Sequence, residues 1–114
     1  MVESIRLDKI NSLIQQKVGE FILQEVEIPA ECFVTVKKAE TTSNIRFSKI
    51  YVSILPHEKR DEIFKLIIKN KKFIQNKLSK NIETRNTPKL QFILDIQEEK
   101  ASSIDTLLDG ISKN

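Results

Sequence analysis

IFKLIIKNKKFIQNKL, from Ile63 to Leu78, is the stretch on which the architecture of this chain turns. Its apolar residues recur at helical spacing, with Ile63, Phe64, Ile67 and Ile68 in the first half and Phe73, Ile74 and Leu78 in the second. Between the halves, Lys69-Asn70-Lys71-Lys72 vacates one turn of the apolar face. A straight helix lying on a core needs an apolar side chain at 70 or 71, one turn beyond Ile67. Either the helix is interrupted there, or its middle turn projects from the core. Asn70 tolerates left-handed backbone better than most residues, which favours a kink. The whole helical stretch runs from about Glu58 to Ile82.

Strands flank it on both sides. Upstream, Val34 and Val36 alternate with Thr35 and Lys37, and Ile50, Val52 and Ile54 alternate with Lys49, Tyr51 and Ser53. The polar run Thr41-Thr42-Ser43-Asn44 between them favours a turn, so the pair reads as an antiparallel hairpin with one buried face. Pro56 stops the second strand. Downstream, Leu90, Phe92, Leu94 and Ile96 mark a third strand, with Pro88 at its start, where a missing amide donor is tolerated.

At the N-terminal end, Ile10, Leu13, Ile14, Val18, Phe21 and Ile22 make an amphipathic helix, with Arg6, Asp8, Gln15, Gln16 and Glu20 elsewhere on the cylinder. Ser4 or Asp8 is placed to cap its start, and Pro29 follows its end. Gly19 within it weakens the helix and is a candidate for a close backbone approach. At the C-terminal end, Ile104, Leu107, Leu108 and Ile111 suggest a short helix between Ala101 and Ser112, frayed by Gly110. The order is helix, strand, strand, broken helix, strand, short helix. Helices on one face of a three-stranded sheet make an α+β two-layer sandwich, and the broken helix is long enough to cross between parallel strands. One domain is expected over residues 1–114, with an ordered core from about 4 to 112.

Charge is segregated. From Lys59 to Lys89 the chain carries Lys59, Arg60, Lys65, Lys69, Lys71, Lys72, Lys77, Lys80, Arg85 and Lys89 against Asp61, Glu62 and Glu83, although the net formal charge is only +3. A positive stripe on a small domain attracts phosphates, because each contact releases condensed counterions; the same composition also makes a well-solvated helix face. The lone Cys32, beside Phe33 and Val34, reads as a small core filler in a reducing compartment. Met1-Val2-Glu3-Ser4 shows no basic segment leading into an apolar run, and no stretch approaches a membrane span, so a soluble cytoplasmic protein is expected.

Catalytic chemistry has little to build on. His57 is the single histidine, in a loop after Pro56, and reads as a helix-start residue. There is no phosphate-cradling glycine loop and no metal-ligand cluster, and Glu98 and Glu99 are neighbours pointing apart. No cofactor, metal or catalytic residue is expected, and the chain reads as a non-enzyme.

Three stretches resemble the ribosome-binding factor A family of bacterial small-subunit assembly factors. Phe33-Val34-Thr35-Val36 followed by Ile50-Tyr51-Val52-Ser53 is similar to its strand pair. Phe73-Ile74 and Leu78, leading into Arg85, Pro88, Leu90, Phe92 and Asp95, resembles its Arg-x-x-Pro-x-Leu-x-Phe-x-x-Asp signature. Ile104, Leu107, Leu108 and Ile111 resemble its closing segment. The resemblance covers about residues 5 to 111, and its second stretch is the most specific. It implies a type II KH-like domain, α-β-β-α(kink)α-β plus a short C-terminal helix. It further implies a factor that binds the immature 30S subunit during 16S rRNA maturation and processing, released with help from an assembly GTPase, and acting as a monomer. In that family a helix-kink-helix, commonly with Ala-x-Gly at the bend, replaces the glycine-rich loop of ordinary KH domains. Here the corresponding tripeptide is Asn70-Lys71-Lys72, so the chain departs from the pattern.

With this resemblance the lysine stripe becomes a candidate RNA-binding site. Lys65, Lys69, Lys72 and Lys80, with Lys71 at the bend, fall on turns not used by the apolar residues, while Lys77 adds to the basic run. Asn70, Gln75 and Asn76 add amides that can reach ribose or base edges. Arg85 can grip a phosphate bidentately, or pair with Asp95, or cap the helix end before it. Few aromatic residues lie outside core patterns, Tyr51 being the exposed candidate, so recognition of folded RNA shape is expected over base-by-base reading. The alternative function is a protein–protein module on the same scaffold without direct RNA contact.

Overall fold

A computed structural model gives the backbone of residues 2–82 and 87–96, with side chains from residue 5 onward. The expected C-terminal helix and Arg85 lie outside the described residues. The elements are α1 (Val2–Glu25), β1 (Phe33–Thr41), β2 (Phe47–Leu55), a 3-10 turn (His57–Lys59), α2 (Arg60–Lys69), α3 (Lys71–Asn81) and β3 (Lys89–Leu94).

β2 is the central strand. It pairs antiparallel with β1, as the hairpin pattern predicts, and parallel with β3, in the order β1-β2-β3. A parallel neighbour requires a crossover, which α2 and α3 supply. The crossover lays the helix pair on the sheet face that α1 also covers, so the fold is the expected two-layer α+β domain. Inward side chains of β2 (Ile50, Val52 and Ile54) meet Ile14, Val18 and Ile22 of α1, Ile63 and Ile67 of α2, and Ile74 and Leu78 of α3 in one core. Cys32 is buried within it. The opposite sheet face is open and mixed, with Phe33, Phe47 and Leu55 exposed beside its polar residues. There Lys38 lies 3.0 Å from Glu40 and 4.7 Å above the Tyr51 ring, and the Tyr51 hydroxyl donates to Glu40. The Lys38 ammonium holds the Glu40 carboxyl below the usual range, and Glu40 in turn raises Lys38.

Strict alternation fails once. The register slips between Val36 and Lys38, a β-bulge that turns Ala39 inward and leaves Lys38 opposite Tyr51 on the open face. Gln15, expected on the polar side of α1, is half-buried here and donates through Nε2 to the Val36 and Lys37 carbonyls at 3.1 and 3.2 Å. Asn11 Oδ1 accepts from the Thr41 amide at 2.9 Å. Together the two side chains occupy backbone groups on the outer edge of β1, which would otherwise offer pairing to another strand.

Three expectations about α1 change. The helix begins at Val2 and runs through both Ser4 and Asp8, so neither caps it. Leu13 lies at the margin of the core, 37% exposed. A methyl added at Gly19 would touch only Val36 Cγ2, at 3.8 Å, which is ordinary contact and no close approach.

Candidate nucleic-acid interface

The bend between α2 and α3 is real, but its mechanism differs from the one expected. Asn70 has φ −96° and ψ 6°, a right-handed conformation far from the helical minimum and not left-handed. Its backbone amide is shared between the Leu66 and Ile67 carbonyls, at 3.2 and 3.1 Å. Its side-chain Nδ2 donates to the Leu66 carbonyl at 2.9 Å. A side chain that bonds back to the i−4 carbonyl competes with the helical ladder, and here the ladder stops. Helix α3 then restarts from the Asn70 carbonyl, which accepts from Ile74 at 3.1 Å.

This explains how the chain dispenses with glycine at the bend. Among the described residues Ile45, in the β1–β2 loop, is the non-glycine residue with positive φ. Lys71 and Lys72 therefore sit in ordinary helical backbone, where a side chain carries no steric penalty.

Around the bend the chain gathers positive charge. Lys65, Lys69, Lys72 and Lys80 are exposed and Lys71 is half-buried, while Ile63, Ile67, Ile74 and Leu78 hold the core beneath them. None of these five lysines makes an ion pair among the described residues. The acids of the helix pair, Asp61 and Glu62, both lie in the first turn of α2, and the sequence has none from there to Glu83, so the bend itself carries no acid. Asn76 is exposed beside them. Asn70 gives no side-chain cap to α3, and the first-turn amides of a helix lack intrahelical acceptors and carry partial positive charge. Lysine ammonium groups around such amides suit an anionic ligand.

Three predicted site residues are occupied by the fold. Gln75 Nε2 donates to the Pro88 carbonyl at 2.8 Å, and its Oε1 accepts from the Leu90 amide at 2.9 Å, tying α3 to the entry of β3. Lys77 lies 2.7 Å from Glu25 Oε1 and 2.8 Å from Gln24 Oε1, over the Phe21 ring, bracing α3 on α1. Asn70 is likewise engaged in making the bend.

The sequence reading misplaced several apolar residues: Ile68 is exposed at the end of α2, Phe33 and Phe47 are exposed on the open sheet face where Tyr51, the expected exposed aromatic, is half-buried, and Phe73 is exposed beside the bend. Phe73 is 59% exposed in the first turn of α3, not part of the core. The signal was present: Ile63, Ile67, Ile74 and Leu78 form one stripe at spacings of four and seven, and Phe73 falls about 100° away from it. His57 is exposed, and no group of His, Cys, Asp or Glu among the described residues could hold a metal. No helix among the described residues is long and apolar enough to cross a membrane.

Comparison with known proteins places this geometry. The family model "Ribosome-binding factor A" matches residues 6–108. The Thermodesulfovibrio yellowstonii ribosome-binding factor A is 27% identical over 108 residues, covering 95% of this chain and 92% of that one. Among solved structures, the solution structure of a Thermotoga maritima protein described as a ribosome binding factor A aligns with TM-score 0.66 at 26% identity, covering 77% of this chain and 85% of that one. Thermus thermophilus ribosome binding factor A, as fitted into a cryo-EM map of a 30S complex, aligns with TM-score 0.62 at 15% identity, covering 75% and 91%; that similarity is one of fold. The two-layer architecture with its bent helix pair is thus the KH-like fold anticipated from the signature residues.

Proposed function

The chain belongs to the ribosome-binding factor A family, and on that premise we propose that it binds the immature 30S subunit, with Lys65, Lys69, Lys71, Lys72, Lys80 and Asn76 facing 16S rRNA. The observation that carries this reading is the set of five lysines around the α2–α3 bend with no ion-pair partner among the described residues. The fold neighbour from Thermus thermophilus, fitted into a 30S complex, supports the choice of particle. Gln75 and Lys77 stay with the fold, and Arg85, which lies outside the described residues, is kept in the proposed set for its capacity to grip a phosphate bidentately.

Binding of this kind needs no catalytic step. A protein that holds one rRNA arrangement more tightly than its competitors shifts the population of assembly intermediates by the difference in affinity. Maturation and processing of 16S rRNA then proceed from the favoured arrangement in the cytoplasm. Loss of that arrangement, or an assembly GTPase, releases the factor as a monomer.

The test is the triple substitution K69E/K71E/K72E. Counterion release makes log affinity fall linearly with log salt, with a slope of roughly 0.7 to 0.9 per phosphate contacted. Removing three contacts lowers both the affinity for immature 30S subunits and the slope, by about two to three units in the slope. Co-sedimentation equal to that of the wild type across a salt series would sink the site. A docking surface for an apolar protein partner would show little salt dependence from the start.

A further inference from the structure

We propose that Phe73 is a stacking platform for an unpaired nucleobase, so that the bend reads a single-stranded rRNA segment and not only duplex shape; this rests on the RNA-binding reading above. Phe73 is 59% exposed, and its ring makes no aromatic or cation contact among the described residues. Ile68, across the bend from it, is 44% exposed. Both apolar side chains flank Asn70, in the stretch of sequence where Lys65, Lys69, Lys71 and Lys72 are concentrated without an acid.

That combination selects among partners. An apolar protein surface would have to strip water from four ammonium groups to reach the ring, and it would leave them without counterions. A nucleotide brings both halves of the complement: a flat base for the ring and phosphates within reach of the lysines. Bases in a duplex are stacked on one another and present only edges, so a ring can be covered by a base face only where the strand is unpaired. The bend places Phe73 in the first turn of α3, close to the amides and ammonium groups that attract phosphate. The base face and its own phosphate are then held by adjacent residues.

The experiment uses the full chain, in which Phe73→Trp creates the sole tryptophan. Emission of F73W is followed while immature 30S subunits, or a ten-nucleotide single-stranded oligoadenylate, are titrated in. Affinities of F73L, F73Y and the triple lysine variant are measured in parallel, with thermal melts as folding controls. Stacking predicts quenching of F73W by both probes. It also predicts about a tenfold weakening in F73L with the wild-type salt slope retained, and near-wild-type binding by F73Y. If F73L binds as tightly as the wild type while the triple variant loses binding, the stacking role falls and the basic surface stands. If both bind as the wild type, both readings fall. Brightening and a blue shift with subunits, without a response to the oligonucleotide, would assign the ring to a ribosomal protein and overturn the proposal. Absence of any emission change at saturation would do the same.

Discussion

Replacing Gln75 by Leu separates the fold from the binding surface, because this side chain was read from the sequence as an RNA ligand and is found bonded to β3. Its amide accepts from Leu90 N and donates to Pro88 O at 2.9 and 2.8 Å, in a half-buried position. Leucine keeps most of the volume and removes both partners. Each neutral hydrogen bond contributes about 1 kcal/mol net, so the loss is about 2 kcal/mol, with partial rehydration of the freed groups holding it near that figure. Unfolding entropy of about 2 cal/mol/K per residue makes this a fall of roughly 10 °C in Tm for a domain of this size.

Circular dichroism melts of wild type and Q75L, alongside co-sedimentation with 30S subunits well below either Tm, give both quantities. The expected result is a large drop in stability with subunit affinity nearly unchanged. A Q75E variant adds a sign test. Ionised glutamate still accepts from Leu90 but faces the Pro88 carbonyl with no proton to donate, whereas the protonated form can donate. The folded state should therefore raise this carboxyl's pKa, and Q75E should recover stability relative to Q75L as pH falls through that raised value. A Q75L protein that melts within about 2 °C of wild type but no longer binds subunits would refute the structural assignment and return Gln75 to the RNA surface.

Two further outcomes follow from the packing of α1 and the open sheet face. Gly19→Ala should stabilise the chain by up to about 1 kcal/mol, since alanine is the better helix former and its methyl finds Val36 Cγ2 at ordinary contact distance; a denaturant melt showing a loss would mean the site is tighter than it measures. Glu40 should titrate below the usual carboxylate range, so its contribution to stability is present above the unfolded value and lost as pH falls through the folded one. Lys38→Met removes the largest cause and should move the Glu40 carboxyl, followed by NMR, back up; an unmoved titration would refute the pairing.

What was legible in the chain, and what was not, follows from how far apart the partners lie. The strands and their inward faces could be read because period two is local, and the crossover because the broken helix sits between two strand patterns. The bulge was harder, though the three-residue step from Val36 to Ala39 records it. Asn70 was placed correctly as the breaking point on the wrong grounds, because its effect comes from a side-chain bond to Leu66 and not from left-handed backbone. Lys77 and Gln75 could not be assigned, since the partners of Lys77 lie on another helix and those of Gln75 at the entry to a strand. Phe73 was misread through adjacency to Ile74, although it lies about 100° around the helix from the stripe that Ile74 shares with Ile67 and Leu78.

The electrostatics of the bend bear on why lysines stand there at all. Lys69, in the last turn of α2, sits at the negative end of that helix and is favoured. Lys71 and Lys72, in the first turn of α3, sit at a positive end that has no acidic residue to balance it. Each such placement costs about 0.3 to 1 kcal/mol at low ionic strength, so the isolated fold carries roughly 1 kcal/mol of local repulsion at one turn. Stability alone would favour an acid at these positions. A phosphate reverses the sign of every term: it is attracted by the amides, by both ammonium groups, and by Lys69 across the bend. Because Asn70 breaks the helix through its side chain, no glycine is required, and the positions a glycine would have left bare can carry that charge. The unfavourable lysines are thus the part of the bend that folding does not explain and that the proposed contact with an RNA backbone would.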